Sequence, residues 1–306
     1  MLERRTDLAL ETRESFPEDD VEIQGVLLDK ETIVIDKTNN YKMDISTVRI
    51  TNKNGAKKMG KPCGSYITLE TGDVGRLSED CLENIINKLI YYIEELGGKL
   101  SEQRVIVCGL GNRHVTADSL GPLVVDELNI TGHLAKEYGM EFLSKIGIGE
   151  MYAMAPGVMA QTGMEAAVTI ESIVKTINPD ILIVIDALAA RSISRVATTI
   201  QVTDTGINPG SGVGNHRMGI NEDNMGIKVI AIGIPTVVEA EVIVFDRIEA
   251  FMEKQNFSEE DINKFISNMG EPEINNMYVT PKNIDETVKC MCSLIARTIN
   301  GCMKKF

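Results

Sequence analysis

The stretch ILIVIDALAAR, residues 181–191, decides the fold. Its first five residues are apolar and four of them are β-branched, a pattern typical of a strand buried on both faces of a mostly parallel sheet. The run meets Asp186, and small residues follow. Sheets of α/β proteins place their binding crevice at such strand ends, which favours a functional carboxylate. The alternative is that Asp186 caps the following turn or helix.

A second stretch of the same kind lies upstream. Residues 104–108 predict a buried strand, glycines follow at Gly109 and Gly111, and a helix is predicted over residues 119–128. The glycine pair does not complete a dinucleotide fingerprint, because His114 stands where the third glycine belongs. A tight turn explains these glycines more simply. Asp118, just before the helix, is either an N-cap or a second carboxylate at the same sheet edge.

Strands alternate with helices from residue 100 onward. This predicts an α/β fold with a mostly parallel or mixed central sheet flanked by helices. Residues 21–75 carry β-type runs separated by turn signals and predict a small β-rich portion, largely antiparallel. Residues 1–20 are charged and poor in apolar side chains, so we expect a mobile or loosely docked arm. The predicted organisation is an arm over 1–20 and a single α/β domain over 21–306.

Charge and composition exclude several classes of protein. The net charge of -14 argues against direct nucleic-acid binding, which needs a basic face. The chain has no apolar run near the length of a membrane span, and its first residues lack an apolar signal core, so we expect a cytoplasmic protein without membrane contact. The six cysteines lack metal-ligand spacing and are expected to be reduced thiols.

The two aspartates suggest a chemistry if their strands are parallel neighbours. Two carboxyls at one sheet edge hinder each other's ionisation, so one tends to keep a proton. The ionised carboxylate can then activate a water while its partner donates a proton, as peptide hydrolysis requires. A divalent metal held by Asp118, Asp186 and one of the three histidines is the alternative use of the same oxygens.

Five longer motifs carry a resemblance to a known family. The chain resembles the germination proteases of spore-forming bacteria from Arg5 almost to the C-terminus. The motifs are GLGNRHVTADSLGP (109–122), MAPGVMAQTG (154–163), IDALAARSISRVATTIQVTDTGINPGSGVGN (185–215), IAIGIPTVV (230–238) and MYVTPKNID (277–285).

The resemblance implies a fold, an activity and an assembly. It implies a phosphorylase/hydrolase-like fold related to hydrogenase maturation endopeptidases. It also implies an endopeptidase, in the cytoplasm of the spore core, that initiates degradation of small acid-soluble spore proteins during germination. The essential carboxylates of the family match Asp118 and Asp186. No cofactor is expected, although members have also been grouped with metalloproteases, and a homotetramer is the expected assembly.

The N-terminus carries a pattern that resembles the family's own substrates. Those are cut after an acidic residue that a bulky apolar residue and alanine follow, and Thr6-Asp7-Leu8-Ala9 matches this order. The resemblance therefore predicts a zymogen that cleaves itself between Asp7 and Leu8. The predicted propeptide of seven residues is shorter than is typical of the family, and the region 255–276 is also shorter.

Recognition of an acidic residue calls for a cation or for backbone donors. Arg191, with Arg195 beside it, is a candidate because it follows Asp186 closely in sequence, although a structural ion pair is an equal explanation. The glycine-rich stretch GSGVGN, residues 210–215, offers Gly210, Gly212 and Asn215 as further candidates for substrate binding. Two other functions remain open: a metal-dependent peptidase using the same carboxylates, and a non-catalytic protein that binds extended peptides.

Overall fold

The computed structural model describes residues 6–16, 23–36, 39–208, 218–268 and 277–305. The stretch that decides the fold forms the strand Ile181–Ala190, in which residues 181–185 are fully buried. This strand continues four residues past Asp186, because the small residues after the carboxylate still pair with a neighbouring strand. Asp186 therefore lies within a strand and does not cap a helix.

Nine strands of the described residues form one mixed sheet, which confirms the predicted α/β fold. They are β1 Val26–Asp36, β2 Tyr41–Ile50, β3 Gly64–Glu70, β4 Arg104–Gly109, β5 Glu150–Met154, β6 Ile181–Ala190, β7 Thr199–Thr203, β8 Lys228–Glu239 and β9 Tyr278–Val279. The order across the sheet is β1-β2-β3-β7-β8-β6-β4-β5, and β9 pairs with β8.

The sheet has an antiparallel half and a parallel half. Strands β1, β2, β3 and β7 pair antiparallel, as predicted for the N-terminal part. Strands β8, β6, β4 and β5 run parallel. The β-rich portion is thus an extension of the central sheet through the β3–β7 pair.

Helices cover both faces of the parallel half. They are α1 Ala9–Glu14, α2 Lys53–Met59, α3 Glu79–Gly97, α4 Leu120–Asp126, α5 Gly132–Tyr138, α6 Met140–Lys145, α7 Met159–Thr162, α8 Ala166–Ile177, α9 Glu222–Met225, α10 Ala240–Lys254, α11 Glu259–Asn268 and α12 Ile284–Cys302. Helices α3, α4 and α12 pack on one face and α8 on the other. None of the helices described here combines the length and apolarity needed to cross a bilayer.

Local sequence signals over residues 78–98 predict a helix, and the structure forms α3 there. Ser78 accepts a hydrogen bond from the Cys81 amide as its N-cap, and the apolar stripe of the helix is buried at Ile85, Leu89 and Ile93. Gly98 ends the helix at a φ of 81°. A cap, an apolar stripe and a terminal glycine are sufficient to define a helix in sequence.

One helix prediction is wrong at its start. The helical periodicity of residues 235–254 predicts one long helix, but residues 235–239 extend β8 to Glu239 and α10 starts at Ala240. The β-branched residues Thr236, Val237 and Val238 suit a strand, and Val237 and Val238 pair with Ala189 and Ala190 of β6. Sheet pairing outweighs the helical periodicity here.

The expectation of a loosely docked arm is also wrong for residues 6–16. Leu8, Ala9 and Leu10 have no exposed surface, and Leu8 belongs to the main core of the sheet. Leu8 packs beneath the sheet face that α3 and α12 also cover. The charged residues on either side make this segment polar on average, although tertiary packing buries its short apolar part.

Candidate active site

The two predicted catalytic aspartates reach the same place from adjacent parallel strands. Gly109, at the end of β4, lies opposite Ile185 of β6, and the Leu110 amide donates to the Ile185 carbonyl over 2.8 Å. The chain then turns and forms a single 3₁₀ turn that ends at Asp118. Asp118 and Asp186 line one cavity of about 430 Å³.

Backbone donors orient the Asp118 carboxylate. Its Oδ2 accepts a hydrogen bond from the Asn112 amide over 2.8 Å. Gly111 permits this turn, because its φ is 112° and a Cβ there would lie 2.0 Å from the Asp118 carbonyl oxygen. Asp118 does not cap α4, whose N-cap is Ser119. The glycines after β4 thus allow a tight turn that holds a carboxylate.

Asp186 is buried, with 8% of its surface exposed. Its Oδ1 accepts a hydrogen bond from the Ala187 amide over 2.9 Å. Flanking strands fix its backbone, because Asp186 pairs with Gly233 of β8 while β4 ends beside Ile185. A buried carboxylate on a rigid strand is suited to act on a substrate that enters the cavity.

Strand β8, together with β9 and the residue that follows it, closes the cavity on one side. The Thr236 hydroxyl donates to the Ala117 carbonyl over 2.5 Å and thereby ties the turn that holds Asp118 to β8. The Thr280 hydroxyl donates in turn to the Thr236 carbonyl over 2.8 Å. A broader and more open depression, of about 970 Å³, lies between β1 and α3 and contains neither aspartate. The cavity with both carboxylates is the candidate active site.

Of the two predicted self-processing residues, Asp7 lies at this cavity and Leu8 lies in the core. Asp7 lines it together with Asp118 and Asp186. The Asp7 amide donates to the Ala189 carbonyl over 3.0 Å, and the Ala189 amide donates to Asp7 Oδ2 over 2.9 Å. Leu8 follows directly and is fully buried. The N-terminal segment therefore lies along β6, three residues beyond Asp186.

Arg195 anchors this segment. Its guanidinium contacts Glu11 over 3.7 Å, Glu14 over 2.6 Å and Glu70 over 2.9 Å. These hydrogen bonds to Glu14 and Glu70 raise the pKa of Arg195 and keep it charged despite its burial. Arg195 thus has the structural role that was the alternative to substrate binding.

The other predicted substrate-binding residues do not form part of the described cavity wall. Arg191 contributes its amide, which donates to Glu11 Oε2 over 2.7 Å, and its side chain is absent from the described lining. Gly210, Gly212 and Asn215 lie outside the described residues. The cavity reaches the beginning of their loop at Ile207 and Asn208.

Two side chains that sequence reasoning missed contact Asp7. Lys61 Nζ lies 2.9 Å from the Asp7 carbonyl oxygen, and Gln201 Nε2 lies 3.3 Å from the same atom. Gln201 offered a signal, since it is a large polar residue inside the β-type run at 199–203. Lys61 offered none, because it lies in an ordinary turn after α2.

A metal site needs at least three suitably placed side-chain donors. The described ranges contain no group of three His, Cys, Asp or Glu side chains placed to hold a metal ion. His216, one of the three histidines, lies outside those ranges. Asp7, Asp118 and Asp186 all line the cavity, but within the described residues they are not placed as such a group.

Comparison with known proteins identifies relatives of this chain. A family model described as germination protease matches residues 9–260. The germination protease of Clostridium perfringens (strain ATCC 13124) is 38% identical, over 97% of this chain and 94% of that protein. The germination protease of Caldanaerobacter subterraneus subsp. tengcongensis is 39% identical, over 97% and 93% of the two chains.

A solved structure was also matched. It is a [NiFe] hydrogenase maturation protease, HycI from Thermococcus kodakarensis, with 15% identity and a TM-score of 0.35 over 67% of this chain and 98% of that chain. At this similarity the match adds nothing to the argument from sequence. On the family model and the near full-length relatives, the chain belongs to the germination protease family.

Proposed function

We propose that this germination protease is an endopeptidase in which Asp118 and Asp186 act as a general acid–base pair. The observation that carries the proposal is that both aspartates, from adjacent parallel strands, line one cavity that also receives Asp7. The proposed substrates are the small acid-soluble spore proteins, cut during germination after an acidic residue and before a bulky apolar one. The proposed location is the cytoplasm of the spore core.

The chemistry follows from two carboxyls that share one proton. The ionised carboxylate removes a proton from a water, whose oxygen attacks the peptide carbonyl carbon, while the protonated carboxyl donates to the carbonyl oxygen. When the tetrahedral intermediate collapses, the C–N bond breaks, the carboxyl that took the proton from water gives it to the leaving nitrogen, and the other carboxylate takes a proton from a hydroxyl of the intermediate. The products are a carboxylic acid and an amine, and the pair returns to its initial protonation.

The zymogen proposal rests on the docked N-terminus. The proposed cut lies between Asp7 and Leu8, and Asp7 is already at the cavity. Asp7 pairs with Ala189, three residues beyond Asp186, which in an extended strand corresponds to roughly 10 Å.

The proposed assembly is a homotetramer, without direct contact with nucleic acid or membrane. The strongly negative charge supports the absence of phosphate binding. Light scattering after size-exclusion chromatography measures the mass of the assembly, and a single species at four times 33.6 kDa is the expected result.

Mass spectrometry of a peptide containing Thr-Glu-Phe-Ala tests the proposed activity. The full chain is incubated with this peptide beside Asp118→Asn, Asp186→Asn and a sample treated with a chelator. The proposal expects one cut after the glutamate that either substitution abolishes and that chelation leaves intact. Loss on chelation would indicate a metallopeptidase, and the absence of any cut by the assembled protein would favour a peptide-binding protein.

A further inference from the structure

A half-buried lysine faces the backbone of the residue that precedes the proposed cut. Lys61 Nζ lies 2.9 Å from the Asp7 carbonyl oxygen and 3.4 Å from the Thr6 carbonyl oxygen. Burial lowers the pKa of Lys61, while the nearby carboxylates of Asp7 and Glu11 partly offset this by raising it. An ammonium that loses water needs replacement acceptors, and the docked N-terminal segment supplies them.

The hydrogen bond to the Asp7 side chain does not by itself distinguish an acid from an amide. The Ala189 amide donates to Asp7 Oδ2, and the carbonyl oxygen of an asparagine side chain can accept the same bond. Discrimination between the two requires a charge nearby. Lys61 Nζ, 2.9 Å from the Asp7 carbonyl oxygen, places a positive charge beside the residue whose side chain must be distinguished.

Gln201 fixes the segment on both sides of Leu8. Its Nε2 lies 3.3 Å from the Asp7 carbonyl oxygen, and its Oε1 accepts from the Ala9 amide over 2.8 Å. The backbone around the proposed cut is therefore held by two side chains, one from the turn after α2 and one from the middle of β7. These contacts fix the position of Asp7 relative to the Lys61 ammonium.

The two arginines suggested by sequence are less suited to this role. Arg195 is already paired with three glutamates, and Arg191 contacts the N-terminal segment through its amide. We propose that Lys61 is the specificity-determining cation of this protease, which selects an acidic residue before the cut both in its own N-terminus and in substrates. This inference rests on the proposed endopeptidase function.

Hydrogen exchange tests the inference without any catalysis. The full chain carrying Asp186→Asn serves as background, and exchange of the peptide covering residues 6–14 is followed by mass spectrometry. With Lys61 present, Asp7→Asn should accelerate exchange on the order of tenfold, because the charge interaction is lost. In a Lys61→Met chain the same substitution should have no effect. An equal effect of Asp7→Asn in both backgrounds would overturn the inference.

Kinetics on two peptides gives a second readout. The peptides differ only in Glu or Gln before the cut, and the ratio of their kcat/KM values is compared among variants. Lys61→Met should reduce the preference for Glu on the order of tenfold or more, whereas Lys61→Arg, which keeps the charge, should retain a preference. Lys58→Met is the matched control, because Lys58 is exposed on the preceding helix.

The outcomes separate the two proposals. An unchanged ratio in Lys61→Met, in a chain that still melts cooperatively, overturns the role of Lys61 and leaves the endopeptidase proposal intact. A wild-type chain that cuts neither peptide overturns the endopeptidase proposal, while the exchange cycle still reports on Lys61.

Discussion

Asp7 and Ala189 exchange two hydrogen bonds: the Asp7 amide donates to the Ala189 carbonyl over 3.0 Å, and the Ala189 amide donates to Asp7 Oδ2 over 2.9 Å. The residue before the proposed cut is thus bound to the same strand that carries Asp186. One strand of the sheet places both a candidate catalytic group and an acidic residue of the chain itself at one cavity.

Neutralising either cavity aspartate should remove activity and leave the fold intact. Asp118→Asn and Asp186→Asn are expected to lower kcat/KM by about 10²–10⁴-fold, because each removes one partner of the acid–base pair. Peptide cleavage and thermal melting are measured together. Asp126→Asn is the control, since Asp126 forms a surface pair with Arg113 outside the cavity wall, and a comparable loss in this variant would contradict the assignment.

The turn at Gly111 should tolerate no side chain. Gly111→Ala places a Cβ 2.0 Å from the Asp118 carbonyl oxygen at a φ of 112°, so we expect loss of activity and a free energy of unfolding lower by about 1–3 kcal/mol.

The variant Gly226→Ala separates the effect of backbone strain from the effect of the steric clash expected at residue 111. Gly226 also has a positive φ, 70°, but its Cβ would meet open space. The Gly226→Ala variant should have a free energy of unfolding lower by about 1–2 kcal/mol and should keep its activity. Urea unfolding and peptide cleavage report the two effects, and full activity in Gly111→Ala would refute the role of this turn.

Arg195 should stabilise the folded chain far more than a surface arginine does. Arg195→Met leaves Glu11 buried without its cation and is expected to cost about 3 kcal/mol. Arg297→Met breaks an exposed pair with Glu79 and should cost at most about 1 kcal/mol. Urea midpoints of the two variants measure the difference, and equal shifts would show that the N-terminal anchor contributes little.

The thiols should differ sharply in reactivity. All six cysteines are free, and Cys63 is exposed. Burial raises the pKa of Cys108, and it raises the pKa of Cys292 and Cys302 to about 12, so these three stay protonated and unreactive. Alkylation with iodoacetamide at pH 8 in the native state should label Cys63 first. Early labelling of Cys108 would mean that the central sheet opens readily.

The sequence was sufficient to predict the elements that local patterns define. The apolar runs at 104–108 and 181–185 predicted two central strands. Asp118 lies in the turn region after the first run and Asp186 directly follows the second, and these positions predicted both as site carboxylates. The reason is that a buried strand demands uninterrupted apolar residues, so a carboxylate at its end stands out. Cap and stripe signals predicted α3 in the same way.

Contacts between distant segments could not be predicted from sequence. Leu8 is buried by residues far along the chain, and no local pattern indicates this. Lys61 meets Asp7 only because β3 brings the end of α2 beside the N-terminal segment. The start of α10 was misplaced because pairing with β6, invisible in the local sequence, extends β8 through Val238.

The continuation of β6 past Asp186 has a consequence for substrate shape. Strand β8 occupies one side of β6 as far as Ala190, but β4 ends beside Ile185, so the other side offers unshared backbone groups that Asp7 uses at Ala189. A peptide that binds there adds to the sheet as a further strand and must be extended. A linear peptide should therefore be cut, whereas the same sequence cross-linked into a helix across the cut should resist. The enzyme would then select its cutting site by local conformation as well as by charge, and regions of a substrate that stay helical would be spared.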